Sequence, residues 1–124
     1  MGYYSHVSDL DLSAQAQKEL SASTIELLQD KFTNSDEYWS LPMFIGLTIS
    51  DDGEIEFDAS VIGSGKAYTL TTELKDLADT FLKYGITITG YFVLVGEEPG
   101  DIVRYLFEED NKFKIQKARI VFGD

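Results

Sequence analysis

The sequence predicts an α+β fold: a single layer of mostly antiparallel sheet with two helical segments on one face, in the order β-α-β-β-α-β-β-β. Three observations carry this. Apolar residues alternate with period two on both sides of Asp51-Asp52-Gly53, the pattern of a hairpin. Between about Thr69 and Tyr84, Leu70, Leu74, Leu77, Phe81 and Leu82 recur at helical spacing, and Gly85 follows as a left-handed cap. Beyond that the chain reads as strands joined by turn formers, and short connections favour antiparallel neighbours.

Taken in order, Gly2–Val7 reads as a short strand and Asp9–Ser13 as a turn into a helix. Ala14–Phe32 reads as one kinked helix or two short ones, with Ser23-Thr24-Ile25-Glu26 fitting a capping box. Its expected apolar face is Leu20, Leu27, Leu28 and Phe32, with Ile25 at the edge. Thr33–Pro42 is expected to be a polar loop whose Trp39 folds back as a core plug, the alternative being an exposed binding hot spot at Tyr38-Trp39. The hairpin runs from Met43, Ile45, Leu47 and Ile49 through the turn to Ile55, Phe57 and Ala59, and Gly63-Ser64-Gly65 is a flexible connector. The second helix carries Asp79 and Lys83 as a favourable pair four residues apart. Strands follow at Ile86–Val95, Ile102–Glu108 and Phe113–Phe122, the last with a phase switch near Lys117 that suggests a bulge.

At 124 residues, with 44% apolar and 13% aromatic residues, the chain makes one domain able to bury a core. The absence of cysteine excludes disulfides, thiol nucleophiles and Cys-ligated metal, and a single histidine excludes His-rich metal sites. A formal net charge of −12 argues against a nucleic-acid-binding surface, which needs a basic footprint. No apolar run reaches the ~20 residues of a membrane helix, and the N-terminus lacks a leader, so a cytoplasmic location is expected.

The charge is polarised. Residues 1–65 hold 12 acids and 2 bases, whereas residues 66–124 hold 10 acids and 8 bases. The densest point, Asp51, Asp52, Glu54, Glu56 and Asp58, puts five carboxylates in eight positions. Alternate strand residues share a face, so Glu54, Glu56 and Asp58 would stand in a row at roughly 6.6 Å intervals, close to every second phosphate of a nucleic-acid strand. The commoner role of such a row is the solvated side of an edge hairpin, protected by charge against aggregation.

No other cluster is specific. Asp51-Asp52-Gly53-Glu54 lacks the spacing and the terminal glutamate of a calcium loop. Ser5, His6 and Asp9 are local neighbours on one strand and point to alternate faces, unlike a triad. Gly96–Asp101 carries three acids and would repel phosphate. Lys112, Lys114, Lys117 and Arg119 are expected to offset acids on neighbouring strands. With helices on one face, the other side of the sheet would expose Tyr91 and Val93, joined by Tyr105 and Phe107; either chain segments cover these or they form an interface.

The stretch from Lys66-Ala67-Tyr68 through Gly90, Gly96-Glu97-Glu98-Pro99-Gly100-Asp101 and Tyr105 to Phe122 resembles a group of small phage and prophage proteins. Those proteins also open with Met-Gly-Tyr-Tyr, as Met1–Tyr4 does here. The chain departs from the group at Ala67 and Val103, where tryptophan is expected. The resemblance implies a phage origin and a compact α+β fold, with no reaction attached.

Together these observations lead to a non-catalytic, phage-encoded protein acting in the bacterial host cell without cofactor or metal. Its expected partner is a basic host protein such as a nucleic-acid-binding nuclease, inhibited in the manner of an anti-CRISPR protein. Asp51, Asp52, Glu54, Glu56 and Asp58 would carry the contact, with Asp36 and Glu37 in support. The alternative is a phage accessory or assembly module acting through the apolar sheet face, with a homodimer among its forms.

Overall fold

A computed structural model describes residues 4–58, 64–66, 69–98 and 100–117. Its elements run β1 (Tyr4–Ala16), α1 (Ala22–Phe32), α2 (Ser40–Ile45), β2 (Leu47–Ile49), β3 (Ile55–Phe57), β4 (Ser64–Lys66), α3 (Leu70–Lys83), β5 (Ile86–Val95), β6 (Ile102–Phe107) and β7 (Phe113–Lys117), with 3-10 turns at Asp36–Tyr38 and Glu109–Asn111. Five strands form one antiparallel sheet in the order β4-β1-β5-β6-β7, and β2 and β3 form a separate ribbon. This is the expected α+β class, with one helix and one strand more than the sequence suggested.

The largest departure is β1. Asp9–Ser13, expected as a turn, and Ala14–Ala16, expected as helix, continue one 13-residue strand. Leu10, Leu12 and Ala14 pack on the core, while Asp9, Asp11, Ser13 and Gln15 lie on the alternate face. A register shift between Val7 and Asp9 lets buried Val7 share the core face with Leu10 despite odd spacing. Ser5 is buried and His6 exposed, so they do not converge.

Helix α1 starts later than expected. Ser21, in place of the Ser23 capping box, accepts from the Thr24 N–H. The buried stripe is Ile25, Leu28 and Phe32; Leu27 lies about 200° around the axis from Ile25 and is exposed. The expected loop at 33–42 is largely helical, and Met43 and Ile45 belong to α2, so the hairpin is shorter than its apolar pattern implied. Trp39 is no core plug: it is 40% exposed at the start of α2. In α3, Leu70, Leu74, Leu77 and Phe81 are buried as expected but Leu82 is exposed, and Asp79 pairs with Lys75 at 3.5 Å in place of Lys83. Gly85 ends the helix at φ +74.

Ser64 and Gly65, expected as connector, form β4 with Lys66 and pair with β1. Residues 1–3, Ala59, Gly63, Ala67, Tyr68, Pro99 and residues 118–124 lie outside the described residues, and with them the far side of the phase switch expected near Lys117.

The core lies between one face of the sheet and the helices. Phe32, Phe44, Phe81 and Phe92 are its largest fully buried side chains. Two details hold the sheet together. Gly90, at φ +105 in the middle of β5, lets the Asp11 carbonyl come so close that a Cβ would sit 1.8 Å from it. Asn111 is buried beside the first half of β5, where β6 does not pair. Its carbonyl accepts from Ile88 N–H at 2.8 Å, and its amide donates to the Ile86 and Ala78 carbonyls at 2.8 and 3.1 Å, tying the strand to α3.

Candidate interaction site

The acidic hairpin is built from the inside out. Leu47 and Ile49 of β2 are buried, and Ile55 and Phe57 of β3 pack half-buried against the core. Pairing of Leu47 with Phe57, Thr48 with Glu56 and Ile49 with Ile55 then fixes the phase. Glu54, Glu56 and Asp58 are consequently exposed on one side, as the alternation required.

The turn is tied down. Ser50 N–H donates to the Glu54 carbonyl at 2.8 Å, Gly53 N–H to the Ser50 carbonyl at 3.0 Å, and Glu54 N–H to Ser50 Oγ at 3.0 Å. From α1, Gln29 Nε2 donates to the Ile49 carbonyl at 2.9 Å and to Asp51 Oδ1 at 3.0 Å. Gly53 sits at φ +87, and a Cβ there would press on Ile25 at 3.1 Å. At the other end Asp58 N–H donates to the Gly46 carbonyl at 3.3 Å. The five carboxylates of Asp51, Asp52, Glu54, Glu56 and Asp58 therefore ride on an anchored ribbon.

Asp36 and Glu37 are exposed but belong to a different neighbourhood. Their 3-10 turn is held by Tyr38, whose ring meets Phe32 edge-on at 5.0 Å at the C-terminal end of α1. The hairpin turn packs instead on Ile25, about 10 Å along the axis from Phe32.

Beside them an open recess of about 270 Å³ is lined by Glu37, Tyr38, Thr69, Thr72, Glu73 and Asp76. Glu73 is buried, and its carboxylate accepts from the Ser40 N–H at 3.1 Å and from the hydroxyls of Ser40 and Thr69, pinning the start of α2 to α3. Asp76 accepts from the Tyr38 hydroxyl, Lys31 and Thr80. Burial works to raise the Asp76 carboxyl, but these hydrogen bonds and the Lys31 charge outweigh it and hold the group below its ordinary range. The same hydrogen bond from Tyr38 to Asp76, with burial and nearby acids, pushes the Tyr38 phenol up to about 12. Both carboxylates are thus engaged in holding helices together. Among the described residues no group of three or more His, Asp or Glu could hold a metal ion.

The outer sheet face is the second exposed feature. Tyr91 and Val93 lie on it, half-buried, as expected. Tyr105 and Phe107 do not: Tyr105 pairs with core-facing Phe92 and stacks on it at 4.7 Å, and both residues are buried on the helix side. The near-continuous apolar run of β6 hid its phase. Their places on the outer face are taken by Arg104 and Leu106 of β6, with Lys114 and Gln116 of β7 beyond. Asp9 and Asp11 of β1 flank the other side. The alternation Leu10, Leu12, Ala14 was the signal that could have found these two acids. Of the basic cluster, Lys114 offsets an acid, forming an ion pair with Glu108 at 3.1 Å, while Arg119 lies outside the described residues.

No described helix is long and apolar enough to cross a membrane. No family model, curated protein or solved structure matches the chain.

Proposed function

We propose that this chain is a non-catalytic interaction protein whose acidic hairpin binds a basic, nucleic-acid-handling surface of a bacterial host protein. The observation that carries this reading is the anchored row of Glu54 and Glu56, continued by Asp58, exposed on one side of β3 while Ile55 and Phe57 fix the other side. A rigid row of carboxylates suits a groove that normally follows phosphates, and complementary charge gives fast, salt-sensitive association. Asp51 and Asp52 extend the row at the turn, and Asp36 and Glu37 contribute only to the longer-range field. The resemblance to phage and prophage proteins supports a host defence nuclease, RNA-guided ones included, as the partner class.

The test is a panel of RNA-guided nuclease cleavage assays with the wild-type chain and the Glu54→Ser/Glu56→Ser/Asp58→Ser variant. Inhibition that disappears in the variant is expected. Equal inhibition by both proteins would remove the hairpin from the site, and no inhibition across the panel would remove the partner class.

A further inference from the structure

The outer face of the five-stranded sheet has a pattern independent of the hairpin. Strand register places Asp9, Val93, Arg104 and Gln116 in one row across β1, β5, β6 and β7. The next row reads Asp11, Tyr91, Leu106 and Lys114. Each row therefore runs from acid on β1, through an apolar centre on β5, to base on β6 or β7. Within the chain, Tyr91 donates its hydroxyl to Asp9 at 3.0 Å and Arg104 Nε donates to Gln116 at 2.7 Å. The described ion pairs are Lys31–Asp76, Lys75–Asp79 and Lys114–Glu108, so Arg104 has no carboxylate partner among the described residues.

We infer that this face binds a second copy of the chain, with the two-fold axis parallel to β5. Rotation about such an axis brings each strand left of β5 over the partner's strand to the right. Asp9 and Asp11 then lie over the partner's Arg104 and Leu106, β1 and β6 each being one strand spacing, about 4.8 Å, from the axis. An axis across the strands would instead set β1 against β1 and oppose like charges. The pattern selects one of the two face-to-face arrangements, and Tyr91, Val93, Val95 and Leu106 supply its apolar centre. Strands of this length give a buried total on the order of 1,000 Å² for the pair, at the lower bound of specific interfaces.

Sedimentation equilibrium of the full chain up to about 0.5 mM tests the inference. The wild type is expected to dimerise, severalfold more weakly at high salt. The variants Asp9→Lys/Asp11→Lys and Arg104→Glu each place like charges in contact and are expected to lose at least about tenfold in self-affinity. Mixed together they restore both contacts, so a one-to-one heterodimer is expected, a rescue that misfolded variants would not give. A wild-type monomer throughout the range, a dimer indifferent to either variant, or a mixture that stays monomeric would each overturn the inference.

Discussion

Replacing Asn111 with alanine strips three hydrogen bonds from one buried position: those with Ile88 N–H and with the Ile86 and Ala78 carbonyls. Each unsatisfied buried group costs about 1–3 kcal/mol. Asn111 also lines an open recess of about 520 Å³ between α3 and β7, through which water can reach part of the site, so the lower end of the range applies. A further fraction of a kcal/mol comes from the backbone, since φ is +57 here and asparagine tolerates that region better than alanine. The sum is roughly 3 kcal/mol, a large share of the 5–15 typical of a domain. In urea unfolding the midpoint should fall by about 2 M, with melting lowered by roughly 10 °C. Asn111→Gly relieves the backbone but not the lost bonds, and should recover no more than about 1 kcal/mol. A loss under about 0.5 kcal/mol for Asn111→Ala, or full recovery in Asn111→Gly, would refute the assignment of this side chain as the bridge between β5 and α3.

Other outcomes follow from the same geometry. Gly90→Ala drives a Cβ into the Asp11 carbonyl and should destabilise by about 3 kcal/mol or more, read by chemical denaturation. Glu73→Ala leaves the Ser40 N–H and two hydroxyls without their acceptor and should cost about 2–4 kcal/mol in the same assay. Asp76 titrates lower in the folded than in the unfolded chain, so its contribution is complete above the ordinary carboxylate range and lost as pH falls through its folded value. Tyr38 is raised, so its contribution is complete below about 10, the ordinary phenol value, and lost as pH climbs toward about 12. Ultraviolet titration should show a late phenolate transition that vanishes in Tyr38→Phe, with the Asp76 carboxyl moving up in NMR titration.

The legible parts of the fold were those where one signal stood alone. In α3 the helical spacing and Gly85 agreed, and in β5 residues Ile86, Ile88, Phe92 and Leu94 kept one phase and proved to be the core face. At the hairpin, period two placed Glu54 and Glu56 in water correctly. Legibility failed where local preference and tertiary pairing disagreed. Asp, Ser and Ala disfavour strands, so Asp9–Ala16 reads as turn and helix, yet ten residues of pairing with β5 override that preference. Met43 and Ile45 fit the hairpin's alternation, but Leu41, Phe44 and Ile45 also recur at helical spacing; these three are buried in α2 while Met43 is exposed, and Glu73 holds the Ser40 N–H at the helix start. Phase was invisible in β6 because Ile102, Val103, Tyr105, Leu106 and Phe107 are nearly all apolar, so only the register with Phe92 reveals that Tyr105 and Phe107 face inward. Asn111 carried a turn signal, and nothing local marks a side chain that reaches a strand more than twenty residues away.

The most direct test of the acidic row is the rate at which the chain associates with whichever guide-free RNA-guided nuclease the cleavage panel finds inhibited. Rates would be compared between wild type and Glu54→Ser/Glu56→Ser/Asp58→Ser at about 50 mM and 300 mM salt. Contact through the acidic row predicts a wild-type rate that falls steeply with salt and a variant at least about tenfold slower at low salt, with the gap narrowing as salt rises. Equal rates for the two proteins at low salt would contradict it.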